Sequence, residues 1–239
     1  MIKKLNNGII IFTKKIKDND LYIKLLSSNN EIISGMVYGG LSSKKKLTYQ
    51  LGYFIDYSIS LKNTNSPPII NAELINPYIG SLYDNKYKLN AINSIISLIN
   101  LSLYEGQNIT GFYDKIYHLI NTIVANDRWI TDYCEWLFDL LKLIGYEVDY
   151  KNNTSQKFYN LLTHNLTNKI DDKVIEFPHN LFTQKKIISY NNIKRVFIIF
   201  ESIFKKNHLD NINVNMPLKF IAFKKIILNT MKSKINEIT

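Results

Sequence analysis

Short runs in which apolar and polar residues alternate occupy the first 80 residues, and this period of two predicts β-strands. In one run, Leu21, Ile23 and Leu25 are predicted to face a core while Tyr22 and Lys24 face outward. Six of the nine glycines separate the runs, as expected for turns. The predicted strands lie at about 8–14, 20–27, 31–38, 51–61 and 69–76.

This strand pattern predicts a small closed β-barrel, because the short strands follow one another without an intervening helix pattern. The OB-fold is the commonest barrel of this kind with a surface for polyanions, although other small barrels fit the pattern almost as well. In the fourth strand, the residues predicted to face the core are Tyr53, Ile55, Tyr57, Ile59 and Leu61, which alternate with Phe54, Asp56, Ser58 and Ser60.

From Asp84 onward the apolar residues recur every three or four positions, which predicts amphipathic helices. The first carries Leu89 to Leu103 and ends before Gly106, and the others are predicted at about 112–125, 128–144, 190–206 and 217–235. Residues 146–188 lose this regularity, so we predict a surface excursion with one short helix there. The chain is therefore predicted to be α+β, with an N-terminal five-stranded OB-like barrel over residues 1–80 and an α-helical domain over residues 81–239.

The net charge of +10 favours an anionic partner, and it is concentrated in residues 1–80 and 151–239, whereas residues 81–150 are net negative. A single cysteine, Cys134, excludes an internal disulfide and a four-cysteine zinc site, and it suits a reducing cytoplasm. No apolar run approaches the roughly 20 residues that cross a bilayer. We expect a cytoplasmic protein that does not bind membranes and has no signal peptide.

The sequence contains no recognisable catalytic or nucleotide-binding motif. Its histidines, His118, His164, His179 and His208, are scattered, and each is interpreted as an ordinary surface or core residue. Asp18 and Asp20 are interpreted as turn and capping residues. We therefore predict a protein that is not an enzyme and that needs no metal or cofactor.

Cationic and aromatic side chains, in contrast, concentrate on the predicted barrel, and single-strand recognition combines cations along the phosphate path with rings on which bases stack. The loop after Gly39 and Gly40 carries three adjacent lysines and is interpreted either as a phosphate clamp or as a solvated turn. Tyr22 and Tyr38 fit a stacking role and an ordinary exposed strand position equally well. The predicted nucleic-acid-binding residues are Lys14, Lys15, Lys17, Tyr22, Lys24, Tyr38, Lys44, Lys45 and Lys46.

The order of these parts resembles the bacterial RecO family of recombination mediators. The segment from Gly8 to Lys46 is similar to the family's opening, with a strand that begins Gly-Ile, an acidic turn and a Gly-Gly-x-Ser-basic loop. The segment from Arg128 to Asp149 resembles the family's aromatic helix, with Ile144 as an added residue before Gly145. The tail from Pro217 to Met231 is similar to the terminal helix.

The resemblance implies a protein that binds single-stranded DNA, anneals complementary strands and, with RecR, helps to load RecA onto strands coated by single-strand binding protein (SSB). Many members of the family hold zinc in a cysteine cluster, whereas residues 150–180 contain no cysteine. The loop cations are lysines where many relatives have arginines, which keeps the charge but loses bidentate geometry.

Two other hypotheses remain open from the sequence. The chain could be an interaction scaffold that binds an acidic, apolar peptide such as the SSB tail, or an RNA-binding barrel unrelated to repair. In the scaffold hypothesis, the residues predicted to bind the acidic peptide are Lys185, Lys186, Lys194, Arg195, Lys224 and Lys225.

Overall fold

The computed structural model describes residues 6–62, 66–76, 78–82, 84–183 and 187–236. Its contacts divide into two compact units, Met1–Ala125 and Asn126–Thr239. The first unit therefore contains the barrel and the first helices. A boundary between independently folding domains at residue 80 stays a prediction, because the grouping of contacts does not test it.

Five strands close into a barrel in the order β1-β2-β3-β5-β4, with β1 also paired to β4. All pairings are antiparallel except that of β3 with β5, which is parallel and joins Met36 to Ile69. This is the arrangement of an OB-like barrel, and the prediction of an α+β fold with an N-terminal barrel is confirmed. The strands are β1 (Asn6–Lys15), β2 (Leu21–Ser27), β3 (Ile32–Val37), β4 (Phe54–Ser60) and β5 (Ile69–Asn76).

The barrel interior is filled by aliphatic side chains and two tyrosines. Tyr57 is fully buried, and its hydroxyl donates a 2.8 Å hydrogen bond to Ser27 Oγ. The Tyr49 hydroxyl accepts a 3.1 Å bond from the Ala72 amide. Burial raises the pKa of both phenols, so they stay neutral. The core consists of Ile10, Leu21, Ile23, Leu25, Val37, Tyr49, Ile55, Tyr57 and Ile70.

The fourth strand departs from the predicted alternation at both ends. Ile59 and Leu61, which were predicted to face the core, are 42% and 65% exposed, because β4 ends at Ser60 at the edge of the barrel. Phe54, predicted to face outward, is buried, because the rings of Tyr78 and Tyr117 cover it. The outer side of this strand is therefore partly a packing surface.

Gly35 allows β3 to approach β5 at the point where the barrel closes. A Cβ atom at Gly35 would lie 2.6 Å from the Pro68 carbonyl oxygen and 2.9 Å from the Ile70 side chain. Backbone carbonyls cannot yield as a flexible side chain can, so only glycine fits without a shift of one strand.

Three helices complete the first unit: α1 (Tyr78–Ser81), α2 (Lys86–Ser102) and α3 (Phe112–Ala125). Asn85 caps α2 by accepting a 3.2 Å bond from the Lys88 amide. The segment between α2 and α3 runs along β3, where the Gly106 amide donates to the Ile32 carbonyl at 3.1 Å. The helices predicted before Gly106 and at 112–125 are confirmed.

The second unit contains α4 (Ile130–Leu143), a three-stranded sheet of β6 (Phe158–Asn160), β7 (Asn165–Thr167) and β8 (Val174–Glu176), α5 (His179–Phe182), α6 (Tyr190–Ile203), a π-helical segment (Phe204–Leu209), α7 (Asp210–Ile212) and α8 (Leu218–Asn236). Aromatic rings join α4, α6 and α8: Tyr133 contacts Phe197 and Phe223, with ring centroids 6.3 and 4.7 Å away. The aromatic side chains of α4 are therefore part of the core, and Cys134 is buried among them.

The described residues between 146 and 188 contain more regular structure than the sequence suggests. The prediction of one short helix is met by α5, but the predicted irregular excursion is wrong where β6, β7 and β8 form a sheet. Tyr159 and Phe177 from this region are buried, and Phe177 stacks on Phe138 of α4 at 5.9 Å. Three-residue strands leave too short a pattern to show a period of two.

Candidate nucleic-acid interface

A β-bulge in β1 determines which side chains face outward. Ile10 lies opposite the buried Leu25, but the register shifts by one residue before Phe12, which lies opposite Lys24. An extra residue reverses the in-and-out alternation, so Phe12 and Lys14 lie on the outside instead of following Ile10 inward.

The outward residues of three neighbouring strands form one surface, which we call the barrel platform (Phe12, Lys14, Tyr22, Lys24 and Met36). Lys14 lies opposite Tyr22, and Tyr22 lies opposite Met36 on β3. Residues opposite one another in an antiparallel ladder project from the same face. The platform therefore places cations and rings side by side.

The rings of the platform are fixed by contacts with each other. Phe12 and Tyr22 meet edge to face with centroids 6.5 Å apart. Lys24 Nζ lies 5.8 Å from the centroid of the Phe12 ring, within the range of a cation–π contact. Both rings are half-buried, so each keeps an accessible part on the barrel surface.

Two loops meet at the end of the barrel beside the platform. The Gly39 amide donates a 2.7 Å bond to Asp20 Oδ1, and the Leu41 amide donates a 2.8 Å bond to the Asn19 carbonyl. Asp20 therefore organises the loops, in agreement with its interpretation as a turn residue. These bonds tie the start of the lysine loop to the β1–β2 turn that contains Lys17.

Tyr38 stands at this junction, with about half of its surface exposed. Lys45 Nζ donates a 3.0 Å bond to the Tyr38 carbonyl, and Lys62 Nζ lies 5.2 Å from the centroid of the Tyr38 ring. The lysine loop itself is ordered by turns, since the amides of Lys45 and Lys46 donate to the Ser42 carbonyl at 3.0 and 2.9 Å.

The structure thus places some of the predicted residues beside one another and leaves others exposed on the loops. Lys14, Tyr22 and Lys24 share the platform, while Tyr38 and Lys45 contact each other at the loop junction. Lys15 ends β1 opposite the inward-facing Leu21. Lys17, Lys44 and Lys46 are exposed on the two loops.

Sequence reasoning missed Phe12, Met36 and Lys62. The strand alternation assigns Phe12 to the same side as Ile10, and only the bulge places it outside. Lys62 follows β4 far from Tyr38 in sequence, and its cation–π contact depends on the closure of the barrel.

The predicted partner-binding residues lie in the second unit, except that Lys185 and Lys186 fall outside the described residues. Arg195 forms a 2.6 Å ion pair with Glu176, and Lys224 forms one of 2.5 Å with Glu201. Lys194 Nζ lies 5.9 Å from the centroid of the Tyr190 ring, and Lys225 is exposed on α8. Two of these four cations are thus already paired within the unit.

Two observations concern metal and thiol chemistry in the part of the chain that the structure describes. No group of three or more His, Cys, Asp or Glu side chains there could hold a metal ion. Cys134 is fully buried, and burial raises the pKa of its thiol, which keeps it protonated. The residues between 150 and 180 therefore do not fit the zinc that many RecO proteins carry.

The fold and this surface define a class: an α+β protein that presents cations and aromatic rings on an N-terminal OB-like barrel. No model of a known protein family matches the chain. It is, however, similar to curated proteins named DNA repair protein RecO. The protein from Rickettsia canadensis is 26% identical over 210 residues, which cover 83% of this chain and 86% of the relative.

Two further relatives carry the same name. The protein from Rickettsia felis is 27% identical over 93% of this chain and 98% of its own length. The protein from Rickettsia bellii (strain OSU 85-389) is 31% identical over 62% of this chain and 63% of its own length. These similarities, which extend over most of the chain, support a RecO-family protein, and the relatives are named as DNA repair proteins. None of the helices in the described part of the chain has the length and apolar composition of a transmembrane span.

Proposed function

We propose that this chain is a RecO-like mediator of DNA repair and recombination, which binds single-stranded DNA and anneals complementary strands. With RecR, it would help to load RecA onto DNA coated by SSB. The observation that carries the proposal is the barrel platform, where Lys14 and Tyr22 lie directly opposite each other and Lys24 lies over Phe12. Binding is its activity, and no catalytic step is involved.

The platform suits a single strand better than a duplex. Bases that are free of a partner strand can stack on Tyr22 and Phe12, while phosphates pass the ammonium groups of Lys14 and Lys24. Neutralising phosphates and stacking on rings require no particular sequence, which is what annealing of arbitrary complementary strands demands. Tyr38, Lys45 and Lys62 would extend this path around the loop junction.

The salt dependence of binding tests this proposal. We expect the change of Lys14 and Lys24 to Ala, and separately of Lys44, Lys45 and Lys46 to Ala, to weaken binding of a labelled single-stranded oligonucleotide. Each lost phosphate contact should flatten the log–log dependence on salt by about 0.7. Fluorescence anisotropy over a range of salt concentrations measures this slope.

A charge-matched control separates the effect of lost phosphate contacts from the effect of a lower net charge. Lys86, Lys115 and Lys169 are exposed lysines that belong neither to the platform nor to the lysine loop, and changing all three to Ala removes as much charge as the loop variant. Equal slopes for the control and the two barrel variants would reject the proposed interface. A clear preference for structured RNA in competition would favour the RNA-binding alternative instead.

A feature of α8 favours the second predicted activity, binding of the acidic, apolar SSB tail. Leu218, Ile221 and Lys225 are exposed and recur at the spacing of one helix face. An apolar residue of the tail could pack on the first two while an acidic residue approaches Lys225. Titration of a labelled tail peptide into the full chain tests this, and Ile221→Asp should abolish binding; equal affinity in the variant would exclude this face.

A further inference from the structure

Asp20 is an acidic residue at the most cationic end of the barrel. Lys17 precedes it in the β1–β2 turn, and the lysine loop (residues 39–50) lies on its other side. A carboxylate at such a place lowers the positive potential that attracts phosphates, so its charge alone should weaken the binding of a polyanion. The hydrogen bonds of Asp20 indicate a second effect, which has the opposite sign.

Backbone hydrogen bonds fix the position of Asp20 in the β1–β2 turn. Its amide donates a 2.7 Å bond to the Lys17 carbonyl, and its carbonyl accepts a 3.1 Å bond from the Ile16 amide. The next residue, Leu21, begins β2 and is buried in the barrel core. The half-buried side chain of Asp20 therefore projects from a rigid point of the barrel.

The Asp20 carboxylate holds the first residue of the lysine loop. The Gly39 amide donates a 2.7 Å bond to Oδ1, and Gly39 has a left-handed φ of 65°, which glycine adopts without strain. A hydrogen bond to an ionised acceptor is among the stronger bonds in proteins. At the next position, a Cβ atom on Gly40 would lie 2.9 Å from the Leu21 side chain, so the loop backbone packs directly on the barrel.

A series of turns connects this anchor to the lysines. The Ser42 amide donates to the Gly39 carbonyl at 3.0 Å, and the amides of Lys45 and Lys46 donate to the Ser42 carbonyl. At the far end of the loop, Tyr49 is buried in the barrel core. The lysines are therefore held between two anchors, and Asp20 supplies the first of them.

The order of the loop matters because its cations repel one another. Three consecutive ammonium groups on a free loop would adopt many arrangements and lose that freedom when they bind phosphates. A loop that is already held in one arrangement loses less free energy on binding. The charge of Asp20 thus opposes DNA binding, whereas its hydrogen bond to Gly39 favours it.

We propose that Asp20 is a positioning residue of the nucleic-acid interface, and that it strengthens the binding of single-stranded DNA although its charge is negative. It acts through the Gly39 amide, which sets the positions of Lys44, Lys45 and Lys46, and it does not touch the DNA. This inference rests on the proposed function. It requires a hydrogen-bond acceptor at position 20 and does not require a charge there.

Two substitutions of Asp20 separate the acceptor from the charge. Asp20→Ala and Asp20→Asn remove the same charge, but only Asn keeps an oxygen that can accept the Gly39 amide. We expect Asp20→Ala to weaken binding of a labelled single-stranded oligonucleotide by about threefold or more, and Asp20→Asn to bind at least as tightly as the wild type. Fluorescence anisotropy of the full chain at fixed salt measures both affinities.

Asp18 provides a charge-matched control in the same turn, where it is exposed. Asp18→Asn removes one negative charge without removing the anchor of the lysine loop, and it should bind at least as tightly as the wild type. If the role of Asp20 were only electrostatic, Asp20→Ala would strengthen binding to the same extent as Asp18→Asn. That result would overturn the proposal.

A combined variant shows whether Asp20 acts through the loop lysines. In a chain in which Lys44, Lys45 and Lys46 are changed to Ala, Asp20→Ala should cause no further loss of affinity. A general destabilisation of the barrel would weaken binding again in this background. The same loss in both backgrounds would therefore overturn the proposal.

A measurement on the wild-type chain keeps the test decisive if Asp20→Ala does not fold. Hydrogen exchange of the Gly39 amide, followed by NMR, should show protection in the free chain, because the bond to Asp20 is present before DNA binds. Protection that appears only after DNA is added would overturn the proposal.

Failure of this inference can be distinguished from failure of the proposed function. If the wild type binds single-stranded DNA and the change of Lys14 and Lys24 to Ala weakens it, but Asp20→Ala and Asp20→Asn bind equally well, only the role of Asp20 is rejected. A wild-type chain that does not bind single-stranded DNA would reject the proposed function together with this role.

Discussion

Phe12 and Tyr22 meet edge to face across the β1–β2 ladder, with ring centroids 6.5 Å apart. Each ring limits the rotation of the other, and Lys24 lies over Phe12 on the same face. A base that stacks on a ring held in this way loses less free energy to ordering than one that meets a freely rotating side chain. The pair is therefore the centre of the proposed single-strand path.

We expect Tyr22→Ala to weaken binding of single-stranded DNA by about 1–3 kcal/mol, roughly 5- to 150-fold, because a stacking surface is lost. Tyr22→Phe keeps the ring and should bind within about twofold of the wild type. Fluorescence anisotropy at fixed salt measures both affinities. Tyr104→Ala removes an exposed tyrosine elsewhere in the same unit, and a loss as large as that of Tyr22→Ala would contradict stacking on the platform.

Gly35→Ala should destabilise the barrel by about 1–3 kcal/mol, because its methyl group would overlap the Pro68 carbonyl and the Ile70 side chain. Both tryptophans, Trp129 and Trp136, lie in the second unit, so their fluorescence does not report directly on the barrel. Urea unfolding followed by far-ultraviolet circular dichroism should reveal the loss. Gly80→Ala, whose Cβ would meet nothing within 4 Å, is the matched control and should unfold as the wild type does.

The strands could be predicted because each carries enough alternating positions to show which side is buried, as Leu21, Ile23 and Leu25 do in β2. The platform could be predicted only in part. Lys14 and Tyr22 were identified from charge and ring type, but the alternation places Phe12, two positions after Ile10, inside the barrel until the bulge is known. Bulges depend on pairing with another strand, which a single stretch of sequence does not encode.

The region from 146 to 188 shows a different limit. Its three strands are held by long-range contacts, such as Phe177 with Phe138, rather than by local propensity. The contact between His164 and Asn207 likewise depends on the π-helical segment, which brings Asn207 to the β6–β7 hairpin. Residues that are distant in sequence must therefore be brought together before this sheet can be recognised.

Removal of metal should not destabilise the second unit. No described cluster of side chains in it can hold zinc, so we expect the unfolding midpoint followed by tryptophan fluorescence to be the same with and without EDTA.

Aromatic packing stabilises this region instead. Phe177→Ala should cost about 3–5 kcal/mol, because a buried ring against Phe138 and Tyr150 is lost. A large shift caused by EDTA, with little effect of Phe177→Ala, would contradict this account.

Acid should destabilise the second unit through His164. Burial and Lys206 lower its pKa in the folded chain below the ordinary 6.5, so the unfolded state binds the proton more readily. The stability that the neutral ring contributes is present above about pH 6.5 and is lost as the pH falls toward the folded pKa. We expect His164→Asn, which tolerates the left-handed backbone, to lose less stability than the wild type between about pH 7.5 and pH 5. Parallel pH profiles for the two chains, followed by tryptophan fluorescence in urea, would show that His164 is not responsible.

The spatial arrangement of the barrel strands has a consequence for the growing chain on the ribosome. β1 is made first, yet one of its edges pairs with β4, and β3 must wait for β5, whose last residue is Asn76. The early strands therefore emerge with open edges and cannot seal until that last strand has left the exit tunnel. Lys14, Lys15 and Lys17 are already present during this interval. Repulsion between these lysines on neighbouring nascent chains disfavours edge-to-edge association before the barrel closes.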